Sequence, residues 1–213
     1  MYIPEAFAEP HTDSLHALMR SHPLATVVAL SEEGLEANHI PLQVLAEPLP
    51  YGRLRGHMAR ANPAWRGFSP TVEILAIFHG PNAYVSPSWY ASAADGKAVP
   101  TWNYAVVHAY GRVQIHEEPD WLLAHLRQMS ASEEARQAKP WSLDNAPADF
   151  ITHLLPAIAG IEMTITRLLG KRKLSQNRSA ADRHGVALGL RGGDGQAQAV
   201  ADLIEPAEIV RKP

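Results

Sequence analysis

The chain has 213 residues, of which 46% are hydrophobic and 19% charged, and its formal net charge is −3. This length can bury a core, and the negative charge excludes an overall basic excess of the kind that drives nucleic-acid binding. Cysteine is absent, which excludes disulfides and thiolate chemistry. No signal-type leader is visible and no segment approaches the ~20 apolar residues of a membrane span. We therefore expect a cytoplasmic protein with no membrane partner.

The first half of the chain predicts one helix followed by short strands. Capping residues and an apolar face predict the helix over residues 12–20. Turn residues and alternating patterns predict five strands, over 24–30, 35–45, 52–58, 71–78 and 83–86. Pro41 indicates an edge or a bulge in the second strand. The pair Asn62-Pro63 is typical of a helix start.

The second half predicts two further strands and four helices. The strands are expected over residues 104–116 and 160–168. The helices are expected over residues 118–129, 148–155, 179–190 and 196–203. In the first of these helices, the predicted inward face holds Trp121, Leu122, His125, Leu126 and Met129. Short strands with hairpin signals and inserted helices favour an α+β domain built on a small, mostly antiparallel barrel.

A crowded aromatic segment, residues 84–104, is the most informative part of the sequence. Its rings belong to Tyr84, Trp89, Tyr90, Trp102 and Tyr104. Short hydrogen-bonding side chains stand between them, namely Ser86, Ser88, Thr101 and Asn103. Planar rings beside small polar groups are typical of the wall of a pocket for a flat polar ligand. The segment therefore predicts a cofactor pocket without naming the cofactor.

A basic strand face leads into the predicted helix start at Asn62-Pro63. Arg53, Arg55 and His57 alternate along the third strand and so share one face, and Arg60 follows. A helix N-terminus offers free N–H groups to an anion, and an arginine can add a bidentate grip. These residues predict either a phosphate site or a solvated strand face with an ordinary helix cap.

A second basic segment covers residues 170–178. Its cationic side chains are Lys171, Arg172, Lys173 and Arg178, and the neutral triplet 175–177 interrupts them. An exposed charged turn is one interpretation. The other is that the amides and the hydroxyl of the triplet contact the heteroatom edge of a ring system.

Metal and hydrolase chemistry have little support in the sequence. The eleven histidines include no His-x-His and no His-Glu-x-x-His spacing, so no metal site is expected. The serines at 86, 88 and 175 lack the Gly-x-Ser-x-Gly context of a hydrolase nucleophile. No catalytic acid or base stands out, and catalytic residues remain unassigned.

Several motifs resemble one known family. They are Met1–Pro4, Gly56–Trp65, Ala83–Tyr90, Val99–Tyr104 and Lys173–Arg178. In this order, over roughly residues 1–190, they resemble the PaiB-type FMN-binding negative transcriptional regulators. The resemblance implies a split β-barrel of the pyridoxamine-phosphate-oxidase-like superfamily. It also implies a homodimer with FMN between the subunits.

The resemblance implies a set of flavin contacts. The flavin phosphate would be gripped by Asn38, His39, Ile40, His57, Met58, Arg60 and Asn62. The ribityl chain or ring would be covered by Lys173, Ser175, Gln176 and Asn177, from the same or the partner subunit. The isoalloxazine would be lined by Tyr84, Trp102 or Tyr104. Arg60 and Lys173 would neutralise the phosphate.

The resemblance also implies an organisation and a function. Residues 1–190 would form one FMN-binding domain with a helical insertion at about 118–156, and residues 191–213 a helical tail. The function would be negative transcriptional regulation, although no DNA-reading motif is present and any DNA contact would use the 171–173 patch doubled in a dimer. A flavin-dependent oxidoreductase is an alternative. A haem-binding relative, with His39, His57 or His108 as axial ligand, is a third.

Overall fold

The computed structural model describes residues 1–31, 34–68, 71–96 and 98–205. Its contacts divide the chain into two compact units. Unit 1 comprises Met1–Leu15, His79–Val107 and Leu169–Pro213. Unit 2 comprises His16–Phe78 and His108–Leu168. We describe the two units separately, and the predicted division into a 1–190 domain and a tail stays a prediction.

The described residues contain one sheet of eight strands. They are β1 (Ala8–Glu9), β2 (Leu24–Ser31), β3 (Gly34–Pro41), β4 (Gln43–Leu45), β5 (Arg53–Ala59), β6 (Ile74–Val85), β7 (Thr101–His116) and β8 (Ile158–Lys173). Their order is β3-β2-β6-β7-β8-β5-β4, and β1 also pairs with β8. The pairs β1–β8, β2–β3, β2–β6, β4–β5 and β5–β8 are antiparallel. The order has two ends, so hydrogen bonds do not close the sheet.

Six α-helices accompany these strands in the described ranges. They are α1 (Thr12–Ser21), α2 (Ala64–Gly67), α3 (Pro119–Glu134), α4 (Ala148–Leu154), α5 (Ala180–Arg191) and α6 (Gly195–Ile204). Side chains cap the last two, because Ser179 accepts from the Asp182 N–H and Asp194 from the Ala197 N–H. In the part of the chain described here, no helix is long and apolar enough to cross a membrane.

The structure confirms the predicted fold class and most predicted elements, with three corrections. The strands predicted over 71–78 and 83–86 are one strand, β6: Gly80 and Pro81 look like turn residues but are buried within its extended run. The strand predicted over 35–45 ends at Pro41, and the Leu42 N–H bonds to the Pro23 carbonyl before β4 begins. The helix after Asn62-Pro63 is a single turn, since the chain becomes extended at Phe68.

Gly56 explains how two distant strands of unit 2 approach one another. A Cβ atom at this position would lie 2.8 Å from the Pro41 carbonyl oxygen and 3.4 Å from a methyl carbon of Ile40. Only glycine therefore lets β5 pass so close to the end of β3. The strands β3 and β5 are not hydrogen-bonded neighbours, so this contact curls the sheet without closing it. The same contact also positions the β5 residues that follow Gly56, where a polar cluster described below begins.

Unit 1 has a core that joins two strands to the C-terminal helices. Its buried residues are Ala83, Val85, Tyr90, Leu174, Val186, Ala187, Leu190, Val200, Ala201 and Ile204. The helix α5 fits closely because Gly189 lies against the indole of Trp89, where an added Cβ would meet ring carbons at 2.3 Å. This packing holds the end of β6, which carries Tyr84, together with Leu174, the residue that follows β8.

Candidate functional site

The predicted site residues form two clusters, one in each unit. We call the cluster in unit 1 the lysine patch; it contains Thr101, Trp102, Asn103, Tyr104, Lys171, Lys173 and Ser175. We call the cluster in unit 2 the arginine patch; it contains Asn38, His57, Arg60 and Asn62. The first joins the aromatic and second basic segments of the sequence, which lie about 70 residues apart.

Lys173 connects the two segments of the lysine patch. Its ammonium donates to the Thr101 hydroxyl at 2.5 Å and to the Trp102 carbonyl at 2.9 Å. Among the described residues it has no carboxylate partner. A strongly hydrated cation held by neutral oxygens keeps its full charge available to an anion.

Lys171 lies on the same strand, two residues before Lys173. It is only 8% exposed, donates to the Tyr2 carbonyl at 3.1 Å, and lies 5.3 Å from the centre of the Tyr104 ring. It too lacks a carboxylate partner within the described residues. Burial of an ammonium against a ring face and one carbonyl leaves much of its hydration uncompensated. An anionic ligand would supply the missing counter-charge.

Asn103 and Ser175 form the buried floor of the lysine patch. The Asn103 amide donates to the Ser175 hydroxyl at 2.9 Å, and both residues are almost fully buried. The Asn103 Oδ1 atom is buried with no hydrogen-bond partner. Ser175 has a φ of 62°, a left-handed conformation that costs a non-glycine residue about 1–3 kcal/mol and is typical of functional sites.

Gln176 and Asn177 follow this strained residue and are both exposed. The Gln176 amide accepts from the Leu174 N–H at 2.7 Å and donates to the Arg172 carbonyl at 2.5 Å. Its side chain therefore stabilises its own turn. Within the row of amides predicted to face a ring system, the Gln176 amide already makes two hydrogen bonds to its own turn.

Tyr84 and Trp102 form an aromatic corner at the edge of the lysine patch. Their ring centres lie 6.2 Å apart with an interplanar angle of 67°, an edge-to-face arrangement. Both are about half exposed, and the Trp102 indole donates to the Asn82 amide oxygen at 3.2 Å. They line a cavity of about 580 Å³ with Trp89. Exposed rings held at a fixed angle can accept a planar ligand.

The arginine patch is built on two joined amides. The Asn62 Nδ2 atom donates to the Asn38 Oδ1 atom at 2.7 Å, and the Asn62 Oδ1 atom accepts from the Ala64 N–H at 3.0 Å. The phosphate site predicted at this helix start stays a prediction, because these contacts show only how Asn62 is held. The helix is one turn long, and the Asn62 side chain occupies one of its free N–H groups.

Three arginines on or just after β5, namely Arg53, Arg55 and Arg60, have carboxylate partners. Arg60 pairs with Glu117 and donates to the Ile158 carbonyl at 3.1 Å. Arg53 and Arg55 share the face predicted for them, yet both pair with Glu162, at 3.2 and 2.6 Å. Glu162 of the neighbouring strand therefore neutralises Arg53 and Arg55, and the phosphate site predicted for this face stays a prediction.

Three further predicted residues differ in what they offer a ligand. Ile40 and Met58 are buried, with 3% and 7% exposure, so only their main-chain groups are available. His39 is exposed on β3, opposite Thr26 of β2. The sequence alternation around these positions already separates inward from outward residues.

His57 and His125 form a hydrogen-bonded pair that the sequence alone did not indicate. Their Nδ1 and Nε2 atoms lie 3.1 Å apart. Burial, together with nearby His57 and Arg55, lowers the pKa of His125 to about 4. Burial also lowers the pKa of His57. Both rings are therefore neutral at pH 7, and one donates to the other. The only prior signal was the placement of His125 on the inward face of its helix.

The two clusters differ in the chemistry that they can perform. The lysine patch fits a planar phosphorylated group, because it combines rings, uncompensated ammonium groups and a buried amide oxygen without a partner. The arginine patch offers amides and one guanidinium. Among the described residues, no group of three metal-ligating side chains is present.

Comparison with known proteins places these features in a family context. The sequence matches the family described as "Putative FMN-binding domain" over residues 1–167. It is 32% identical to the Bacillus subtilis protein named "Protease synthase and sporulation protein PAI 2", over 96% of this chain and 97% of that protein. It is also 32% identical to an uncharacterized Emericella nidulans protein, over 96% of each chain.

Solved structures share the fold at low sequence identity. The flavocytochrome Anf3 from Azotobacter vinelandii has a TM-score of 0.56 and 16% identity, covering 78% of this chain and 69% of that one. The FAD and heme binding protein from Mycobacterium smegmatis has a TM-score of 0.57 and 13% identity, covering 83% and 78%. The likeness confirms the split β-barrel fold. With the family match, it supports FMN as the cofactor.

Proposed function

Because the chain belongs to the family described as "Putative FMN-binding domain", we propose that it is an FMN-binding homodimer that acts as a negative transcriptional regulator. The observation that carries the flavin part is the lysine patch. Two sequence segments selected for separate reasons contact each other there and hold two lysines without carboxylate partners among the described residues. The regulatory part rests on the 32% identity to a protein named for protease synthesis and sporulation.

The roles of individual residues follow from their contacts. Tyr84, Trp102 and Tyr104 present ring surface to the isoalloxazine, and Lys173 supplies positive charge for the flavin phosphate. Asn38, Arg60 and Asn62 offer donors to the phosphate, with the main chain at His39, Ile40, His57 and Met58 as further partners. Ser175 and Asn177 offer polar groups to the ribityl chain. FMN itself, when bound, supplies electron-transfer chemistry.

Lys173→Met tests the flavin site. Loss of one charge-assisted contact should weaken FMN binding by about tenfold or more, measured by fluorescence titration of FMN. Lys139→Met is the matched control, because Lys139 is an exposed lysine outside both patches. Arg60→Ala tests the arginine patch in the same assay, and the unfolding midpoint shows that each variant is folded.

Three results would contradict the flavin proposal. They are a protein that ignores added FMN, an equal affinity in Lys173→Met and Lys139→Met, or a Soret absorption band from haem in place of flavin bands. Light scattering tests the homodimer, and a monomer with full FMN affinity would overturn that part. Unchanged affinity in Arg60→Ala alone would place the phosphate away from the arginine patch.

A flavin-dependent oxidoreductase is a second candidate, favoured by the cavity beside Tyr84, Trp89 and Trp102. Its volume of about 580 Å³ exceeds what the rings need for mutual packing and could admit a second planar substrate. NAD(P)H consumption with FMN present, measured beside DNA retention over a salt series, separates the candidates. Specific DNA retention without turnover favours the regulator, and turnover without specific retention favours the enzyme.

A further inference from the structure

A cavity in unit 2 shares Arg60 with the arginine patch but is otherwise lined by different residues. It has a volume of about 450 Å³ and is lined by Arg60, Glu117, Pro119, Leu122, Thr152, Leu155 and Pro156. This volume lies within the roughly 300–1,000 Å³ typical of small-molecule sites. Leu122 and Leu155 are themselves buried, with 1% and 5% exposure. The walls are therefore apolar apart from one threonine and one ion pair.

That ion pair gives the cavity a chemical preference. The Arg60 guanidinium is fixed by its donation to the Ile158 carbonyl at 3.1 Å and by its place 5.8 Å from the Trp65 ring centre. Its Nε atom is buried with no hydrogen-bond partner. Glu117 pairs with it, but the Glu117 side chain is 52% exposed. The cation is thus held in place, while its carboxylate partner can leave.

We propose that this cavity binds a small apolar monocarboxylate, whose carboxylate replaces that of Glu117 on Arg60 and whose hydrocarbon part contacts Leu122, Leu155, Pro119 and Pro156. The exchange keeps Arg60, whose side chain is 33% exposed, neutralised throughout. Displacing Glu117 costs little, because a surface ion pair contributes little to stability. The hydrocarbon part then gains the burial of apolar surface.

The proposal goes beyond the flavin site, although both draw on Arg60. A carboxylate bound to Arg60 would compete with a phosphate for the same guanidinium. The expected consequence is weaker FMN binding in the presence of the carboxylate. We therefore test carboxylate binding first in the protein without FMN, so that this proposal and the flavin proposal can fail independently.

Octanoate is the probe, with octanol as the uncharged control of the same chain length. Calorimetry on the FMN-free protein should show saturable octanoate binding, with octanol binding about tenfold more weakly because it lacks the charge-assisted contact. The fluorescence of Trp65 should change over the same concentration range, since its indole N–H donates to the Arg60 carbonyl at 3.0 Å. Trp65→Phe should remove that change.

Two variants locate the site without touching Arg60. Glu117→Gln removes the competing carboxylate and should tighten octanoate binding by about threefold. Thr152→Phe places a ring in the cavity and should weaken binding by about tenfold or more. Thr152→Val is the matched control and should bind within about twofold of the parent protein. Thermal unfolding checks that each variant is folded.

Four results would overturn the proposal. They are the absence of saturable octanoate binding, equal binding of octanol, an unchanged affinity in Thr152→Phe, and weaker binding in Glu117→Gln. FMN affinity measured with and without octanoate then tests the competition. Failure of FMN binding in Lys173→Met affects only the flavin proposal, because Lys173 does not line this cavity.

Discussion

The cations of the candidate site have different partners in the two units. In unit 2, Arg53 and Arg55 meet Glu162 on the neighbouring strand, and Arg60 meets Glu117. In unit 1, Lys171 and Lys173 have only carbonyl, hydroxyl and aromatic partners among the described residues. The two basic segments look alike in the sequence. They differ in the folded protein because Arg53, Arg55 and Arg60 all have carboxylate partners, whereas in the second segment only Arg172 has one among the described residues, Glu9.

The difference indicates where the protein relies on a ligand. A paired arginine already has a counter-charge, so an added anion must first displace its carboxylate partner. A lysine without a counter-charge destabilises the ligand-free protein and is compensated when an anion binds. Unit 2 also avoids uncompensated charge at its histidine pair, because the His57 and His125 rings are both neutral at pH 7. Three predictions change one side of this comparison at a time, beginning with the largest effect.

Acid should break the neutral histidine pair of unit 2. The pKa of His125 is lowered from 6.5 to about 4, so the unfolded chain takes up a proton at a higher pH than the folded protein. This contribution to stability is complete above pH 6.5 and is lost as the pH falls toward 4. The loss should amount to up to about 3 kcal/mol, measured by urea unfolding at a series of pH values.

The variant His125→Phe identifies the source of this slope. It keeps a planar ring beside Trp121, whose centre lies 5.4 Å from that of His125, but cannot titrate. The pH dependence between 6.5 and 4 should shrink to the part that His57 supplies. His153→Gln, a change at an exposed histidine on α4, should keep the full slope. An equal slope in both variants would show that the pair is not responsible.

Glu162→Gln should leave Arg53 and Arg55 of unit 2 without a counter-charge, the situation of Lys171 and Lys173 in unit 1. Burial opposes ionisation of Glu162, but hydrogen bonds from Arg55 and Arg53 and their charges outweigh it and lower its pKa. Its side chain is 13% exposed, so removing the charge leaves two partly buried arginines unpaired. We expect a loss of about 2 kcal/mol in the free energy of unfolding in urea at pH 7.

Asp144→Asn is the control for that change. Its pair with Arg127 is largely exposed, at 77% and 54%, and its removal should cost under about 0.5 kcal/mol. Comparable losses in the two variants would mean that burial does not distinguish the pairs. The Glu162 variant should also lose the acid sensitivity that its lowered pKa gives the parent protein below pH 4.5.

Lys171→Met should give unit 1 one cation fewer. Methionine matches the length of lysine without its charge, so the ligand-free protein should become more stable by about 1 kcal/mol. FMN affinity should fall, so the gain should shrink or reverse when FMN is saturating. Urea unfolding with and without FMN measures both effects. Lys139→Met should change neither, and a destabilised Lys171→Met protein without FMN would contradict the prediction.

The sequence predicted most elements because their signals are local. Period-two alternation predicted β5 and capping residues predicted α1, each within one residue of the observed bounds. The errors occurred where tertiary contacts override local preference. Gly80 and Pro81 favour a turn, but burial keeps them in a strand, and Pro41 ends β3 where a strand was expected to continue.

The candidate site was only partly predictable. The aromatic segment and the lysines at 171 and 173 could be selected by residue type, and the fold brings them together. The neutralisation of Arg53 and Arg55 could not be predicted, because Glu162 lies 107 residues from Arg55 in the chain. The His57–His125 pair was missed for the same reason, being separated by 68 residues.

The sequence by itself determined the family, the strand and helix segments, and the residue types available for a flavin site. These properties reside in short motifs and in local periodicity. Only the tertiary structure decided which cations remain available. The register of β5 against β8 sets Arg55 directly opposite Glu162, and a cross-strand pair exists only once two strands are aligned. Neutralisation depends on the distance between two oppositely charged side chains, and this distance cannot be read from either chain segment alone.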